Sequence, residues 1–298
     1  MPVGSVSYKD YRGQLIEESC EAVLFKAAND PFFPWPFEVV SLLVNPDPRP
    51  VDGYSITTLE QQCVRCVVLQ AREDYTLNLN KAWSRFRGTI GHSLMEQRPA
   101  PDTINEVRFF TTIEGRSVHG RVDRIKLHPA TQEFTVIDWK FPKQVPRWDK
   151  VWNDHEAQLN CYRYLVNHME KTDPSGVTPY SPNEYTQLRD WTCRSVGVVY
   201  MDGEGVKPLE VRRAYDVPTK AGAKSATKKE KRVYVWSDEE VLAYLIPRIE
   251  RLEAAFEQYD TDGTLPEYPA GFDAFAQGSL HTYSDVVHTC VTRWREGR

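Results

Sequence analysis

One hairpin constrains this chain more than any other feature. The runs Ser117 to Leu127 and Phe134 to Phe141 are strand-like, and His128-Pro-Ala-Thr-Gln-Glu133 separates them as a turn-forming spacer. Successive side chains of a strand point to opposite faces. On the second strand Phe134, Val136, Asp138 and Lys140 therefore share one face, while Thr135, Ile137, Trp139 and Phe141 share the other. On the first strand Leu127, Ile125, Asp123 and Arg121 fall together. A symmetric loop that sets Leu127 opposite Phe134 brings Ile125 to Val136, Asp123 to Asp138 and Arg121 to Lys140. One face of the hairpin then changes from apolar at the loop end to charged at the other.

Directly opposed residues have Cβ atoms about 4.5–5.5 Å apart, which is near enough for two carboxylates to share a cation. Without that cation the pair resists joint ionisation. A hard divalent metal removes the conflict, and Mg²⁺ commonly takes one or two carboxylates together with phosphate and water. Lys140 projects from the same face about 7 Å beyond Asp138. There it could orient or deprotonate a water, or neutralise charge developing on a phosphate. A surface hairpin whose acids and bases merely pair with one another would show the same spacing. The flanking Val122, Phe134 and Val136 argue against it, because a half-buried strand gains nothing by pointing Asp and Lys into its apolar face.

Around the hairpin the pattern is mixed. From Thr57 to Gln97 apolar residues recur at three- and four-residue intervals, which predicts two helices, with Gly88 and Gly91 marking breaks or close packing. Glu106 to Ile113 reads as a strand that completes an antiparallel meander with the hairpin. A helix is expected from Asp154 to Glu170, then strands at Ser195 to Met201, Pro208 to Tyr215 and Arg232 to Trp236. Ser237 and Glu240 form a capping-box signature opening a helix that reaches Tyr259.

Four short motifs along this stretch form a series: Arg87-Gly-Thr-Ile-Gly-His92-Ser-Leu-Met-Glu96, Gly120-Arg-Val-Asp123, Val136-Ile-Asp138-Trp-Lys140 and Gln158-Leu-Asn-Cys-Tyr162. In order and spacing the series resembles the PD-(D/E)XK nuclease superfamily, in its RecB-type and Cas4-type branch, over residues 57 to 170. The resemblance implies an α/β fold with a restriction-endonuclease-like core, a mixed β-sheet flanked by helices. It implies His92, Asp123, Asp138 and the backbone carbonyl of Trp139 as ligands for Mg²⁺ or Mn²⁺, and Lys140 as the catalytic lysine. Gln158 and Tyr162, one helical turn apart, would support the site or touch the DNA backbone. Glu96, Glu106 and Arg121 are further residues expected near it. The organisation expected is an N-terminal extension over 1–56, a nuclease core over 57–260 and a C-terminal extension over 261–298.

Many Cas4-type proteins hold an iron–sulfur cluster through one cysteine before the histidine motif and three near the C-terminus. This chain has only Cys290 in its last 100 residues, which argues against a cluster. Its six cysteines are scattered, a pattern of buried thiols rather than of a disulfide framework. Cys63 and Cys66 form the one close pair, to be read as half of a metal site or as core residues on a helix face. No run of about 18 apolar residues is present to suggest a membrane span, and the first residues lack a secretory pattern, so a cytoplasmic location is expected.

The net charge of −5 argues against a protein that coats nucleic acid nonspecifically, but not against a nuclease, whose acidic ligands lower the total. Basic residues gather at Thr219 to Arg232, where Lys220, Lys224, Lys228, Lys229, Lys231 and Arg232 suggest a mobile DNA-binding loop or a solvated hairpin tip. Lys143, Arg147 and Lys150 offer another path for DNA. The expected function is DNA phosphodiester hydrolysis, first as an exonuclease, with a helicase, recombinase or other DNA-processing protein as partner. The rivals are a sequence- or structure-specific endonuclease and a noncatalytic DNA-binding or assembly subunit. Both carboxylates and Lys140 count against the latter, since binding alone needs no acidic ligands.

Overall fold

The computed structural model describes residues 3–9, 12–44, 53–61, 63–73, 75–97, 100–147, 149–170, 185–218 and 227–266. Lys220, Lys224 and Cys290, with residues 267–298 of the expected C-terminal extension, lie outside them. In chain order the elements are β1 (Val3–Lys9), β2 (Leu15–Ser19), α1 (Cys20–Asn29), α2 (Phe37–Val44), β3 (Tyr54–Ser55), α3 (Ile56–Leu59), α4 (Val64–Arg72), β4 (Tyr75–Asn78) and α5 (Leu79–Glu96). They continue with β5 (Thr103–Ile113), β6 (Arg116–His128), β7 (Glu133–Lys140), α6 (Asn153–Asn167), β8 (Thr192–Met201), β9 (Val206–Glu210), β10 (Arg212–Pro218), β11 (Thr227–Val233) and α7 (Asp238–Asp262). Two compact units result: Met1–Arg49 with Gln61–Ile90 and Arg248–Arg298, and Pro50–Glu60 with Gly91–Pro247. Among the described residues no helix is long and apolar enough to cross a membrane.

In the first unit β1 lies between β2 and β4, over a core that includes Val6, Val23, Val40, Leu43 and Leu77. The run expected to be purely helical is interrupted here by β4, which pairs in parallel with β1. Pairing satisfies the backbone of this segment while burying Leu77, and such tertiary pairing overrides local periodicity. Cys63 and Cys66 join Val68, Leu69, Ala255 and Leu265 in a second core cluster. The Cys63 thiol caps α4 by accepting the Cys66 N–H at 3.3 Å, so this pair serves packing and capping.

The second unit is built on a six-stranded mixed sheet. Its path runs β3-β6-β7-β8-β9, with β5 paired to β6. The meander β5-β6-β7 is antiparallel, β7 and β8 are parallel, and β8 and β9 are antiparallel. Glu114 and Gly115 close the β5–β6 turn with φ of 48° and 78°, the two positive values of a type I′ turn whose twist matches its strands. On one edge β6 pairs with β5 along most of its length. On the other it meets β7 over Arg124 to His128 and β3 at Val118 and His119, and between them the ladder is open.

Helix α6 packs across β5, β6, β7 and β8, burying Leu159, Cys161, Leu165 and Val166. Its Arg163 and His168 both engage Asp238 at the start of α7, and Asn160 accepts the Trp236 N–H at 2.9 Å. The capping box is formed both ways: Ser237 Oγ accepts the Glu240 N–H at 3.2 Å, and the Glu240 carboxylate accepts the Ser237 N–H at 2.9 Å. The run expected as one strand at Pro208 to Tyr215 divides at the buried Val211. After it, β10 leaves the large sheet to form a two-stranded ribbon with β11. Residues 227–233 are thus a strand and not part of a mobile loop; each is paired to β10, from Thr227 opposite Pro218 to Val233 opposite Arg212.

Gly120 shows how tightly α6 sits on β6. A Cβ there would lie 2.7 Å from Tyr162 Cε1 and 2.9 Å from Leu165 Cδ1. Gly120→Ala is expected to shift the urea unfolding midpoint down, by about 1–3 kcal/mol of overpacking. An unchanged midpoint would show that α6 moves away from the sheet without cost.

Candidate metal and catalytic centre

The register of the central hairpin is the one that the alternation predicts as far as Arg124↔Ile137, and there it stops. Asp123 and Asp138 do not form the expected ladder pair. Instead Asp123 Oδ2 accepts the Trp139 N–H at 2.7 Å, a side chain taking the place of a main-chain acceptor where the strands part. Arg121 does not face Lys140 either. Its guanidinium reaches Glu106 Oε2 at 2.9 Å, the Glu106 carbonyl at 3.1 Å and Glu96 Oε1 at 3.1 Å, because carboxylates of opposite charge stand on that side.

Glu106 is held by an unusual backbone. The β5–β6 ladder pairs Asn105 with Arg124 and Val107 with Val122 and omits the residue between, where Glu106 has φ of 56°. A non-glycine residue in this left-handed region costs about 1–3 kcal/mol. Its carboxylate is buried at 3.1 Å from His92 Nδ1, and Asp123 Oδ1 lies 3.4 Å from the same nitrogen. His92, on the last turns of α5, also packs edge-on against Phe141 at 5.6 Å between ring centroids. Gly91 beside it leaves room for that ring, since a Cβ would fall 2.1 Å from Phe141 Cζ.

Among the described residues, His92, Glu106 and Asp123 form the one group of three side chains able to hold a metal ion, with ligand atoms within 4.8 Å of one another. One imidazole and two carboxylates suit Mn²⁺ well, and Mg²⁺ by its oxygens. The electrostatics favour a cation. Burial, and after it the charge of Asp138 with a smaller push from Glu106, holds the Asp123 carboxyl well above its ordinary range. A divalent ion would take the place of the proton that this crowding retains.

Asp138 stands outside that trio. It is 2% exposed, and Lys140 Nζ lies 2.8 Å from its Oδ2. Lys140 Nζ also donates to Gln158 Oε1 at 2.7 Å, and Gln158 Nε2 donates to Tyr162 Oη at 2.9 Å. Burial alone would lower the Lys140 ammonium, but Asp138 and then Asp123 more than offset it and raise the group. Gln158 and Tyr162 are both buried, so they face Lys140 and not a surface. The Tyr162 hydroxyl is pushed far up, first by burial and then by Asp138, and stays protonated.

Two neighbours of this centre carry no motif. Glu60, just after α3, adds negative charge felt by both Lys140 and Tyr162. His155, one turn before Gln158 on α6, is lowered to about 4 by burial and by the Lys140 charge; its i, i+3 spacing from Gln158 was the available signal. Of the basic residues, Lys229, Lys231 and Arg232 are exposed on β11, Lys228 occupies the same strand, and Lys143, Arg147 and Lys150 are exposed after β7.

A raised Asp123 means that the folded chain keeps a proton which the unfolded chain, with an ordinary value of 3.8, has lost. Its contribution to stability therefore falls as pH rises through that interval. Metal-free protein should gain more in Tm from Mn²⁺ at neutral pH than at pH near the unfolded value, and Asp123→Asn should lose both that gain and part of the pH slope. Equal Mn²⁺ shifts in wild type and Asp123→Asn, followed by thermal denaturation, would remove the trio as a metal site.

A family model described as the PD-(D/E)XK nuclease superfamily matches residues 50–267, a span that takes in the whole six-stranded sheet and every residue of the centre. A search of curated proteins gives no match. Among solved structures the chain is similar to the crystal structure of SSO0001, with 14% identity, 78% of this chain and 85% of that chain covered, and a TM-score of 0.43. A likeness at that score carries no weight beside the family match. The chain belongs to the PD-(D/E)XK nuclease superfamily.

Proposed function

We propose that this protein is a metal-dependent DNA nuclease of the RecB-type and Cas4-type branch, acting first as an exonuclease in DNA processing, recombination or repair. The observation that carries the reading is Lys140, held between Asp138 and Gln158 beside the His92, Glu106 and Asp123 group. A binding subunit has no use for a lysine ion-paired to a buried acid next to three metal-capable side chains. The fit of the residues to Mg²⁺ or Mn²⁺ supports His92, Asp123 and Glu106 as ligands, with Asp138 and the Trp139 carbonyl completing the set.

An ion held by His92, Glu106 and Asp123 would supply Lewis acidity toward the scissile phosphate and lower the pKa of water. Lys140, a charged ammonium, orients the water and neutralises charge on the phosphate oxygens as they gain it. Gln158 fixes the lysine, and Tyr162 fixes Gln158. Arg121 holds the Glu106 carboxylate in place from the outside, and Glu96 holds Arg121. Partners such as a helicase or recombinase would supply unwound or broken DNA.

End-labelled linear, circular, single-stranded and duplex DNA incubated with Mg²⁺ or Mn²⁺ tests this directly. Loss of linear substrate from its ends with circles spared is the expected result. Nicked circles would favour the endonuclease reading, and binding without cleavage the noncatalytic one. Asp138→Ala and Lys140→Ala should each abolish hydrolysis while leaving the circular dichroism spectrum unchanged; near-normal cleavage by either variant would sink the assignment.

The β10–β11 ribbon supports a DNA path along its basic strand, with Lys228, Lys229, Lys231 and Arg232 on β11 and Lys220 and Lys224 in the preceding segment of the sequence. Replacing Lys229, Lys231 and Arg232 by Ser should flatten the slope of log affinity against log salt by about 0.7–0.9 for each phosphate contact removed. The measurement is made in Ca²⁺ to suppress cleavage. Identical slopes would move the path to Lys143, Arg147 and Lys150.

A further inference from the structure

Beside Lys140 the sheet carries an aromatic cluster that the proposed hydrolysis does not use. Tyr200 on β8 is the direct neighbour of Lys140 in the parallel β7–β8 register. Its hydroxyl lies 2.8 Å from His155 Nδ1 and accepts the backbone N–H of Trp152 at 3.4 Å. The three rings touch one another: Trp152 and His155 are 5.2 Å apart between centroids, Trp152 and Tyr200 5.4 Å, and His155 and Tyr200 5.5 Å. His155, lowered to about 4, is a neutral ring at physiological pH.

Trp152 is the odd member. It sits at the N-cap of α6, makes no side-chain cap hydrogen bond and leaves 43% of its surface exposed. A buried Tyr and a neutral His pack against its indole, while much of the residue stays exposed. Helix α6 carries this indole at one end and Gln158, the partner of Lys140, two turns along. A packed, partly exposed indole next to the group that would handle a phosphate is the arrangement that stacks on a base, since every base offers a π-face and stacking is tolerant of sequence. Base pairs inside a duplex are already stacked and cannot offer that face.

We infer that Trp152 is a stacking platform for an unpaired nucleobase adjacent to the scissile phosphate, so that the substrate class is single-stranded DNA or the frayed end of a duplex. The inference rests on the nuclease reading for its location but is tested through binding. The probe is oligodeoxythymidylate in Ca²⁺, together with a series in which a single abasic site is walked along the strand.

Trp152→Ala should weaken binding by about 5- to 150-fold, the range measured for one lost base stack, and Trp152→Phe should keep most of it. One abasic position should weaken wild type by a similar factor and leave Trp152→Ala unaffected. Equal affinities of wild type and Trp152→Ala, an abasic penalty that persists in Trp152→Ala, or no binding of single strands by wild type would each overturn the inference. A concentration-dependent dimer in wild type that Trp152→Ala abolishes, with DNA affinity unchanged, would assign the indole to a second copy of the chain instead. Cleavage by wild type in Mn²⁺, run in parallel, separates the two readings: a wild type that cuts DNA with Trp152→Ala binding equally well retains the nuclease and loses the platform, whereas a wild type that binds single strands through Trp152 and cuts nothing retains the platform and loses the nuclease.

Discussion

The Trp139 N–H bond to Asp123 is the constraint from which the centre follows. Had β6 and β7 continued as a closed ladder, Asp123 and Asp138 would face each other as cross-strand neighbours, two like charges with Cβ atoms about 4.5–5.5 Å apart. By accepting the amide of Trp139 with its own carboxylate, Asp123 ends the ladder without orphaning a buried donor. The strands then diverge, and the far end of β7 is free to pair only with β8. That divergence turns Asp123 toward His92 and Glu106, and leaves Asp138 to Lys140.

Around this fork the buried charges are sorted rather than cancelled. Lys140 answers Asp138 from within, Arg121 answers Glu106 from the outer side, and Asp123 keeps its proton. An unpaired buried carboxylate costs several kcal/mol, and each of these arrangements avoids that cost in its own way. A dication among His92, Glu106 and Asp123 would displace the proton of Asp123.

Much of this was legible in the residues. Period-two alternation correctly divides the faces of β6 and β7, and the register follows from the loop as far as Arg124. The glycines of the motifs also have readable causes once their neighbours are known, Gly120 beneath Tyr162 and Gly91 beneath Phe141. What escaped had a nonlocal origin. The strand β4 exists because β1 is there to pair with it, and Val211 divides a continuous apolar-polar run because its neighbours belong to different sheets. Glu60 reaches the centre through packing that no spacing rule encodes, and His155 only through its spacing from Gln158. Glu106 was within view as the opening of a strand, but alternation assumes a regular strand, and its left-handed backbone is the departure that aims it at His92.

That departure has a consequence for how the position can vary. Backbone geometry at φ of 56° welcomes Gly, and after it Asn and Asp, whereas the chemistry of the trio welcomes only an acidic side chain. The two alphabets overlap at Asp alone, and Asp is one methylene shorter than the reach to Arg121 and His92 requires. A shorter acid here would therefore lose its hold on Arg121 unless that residue changed with it.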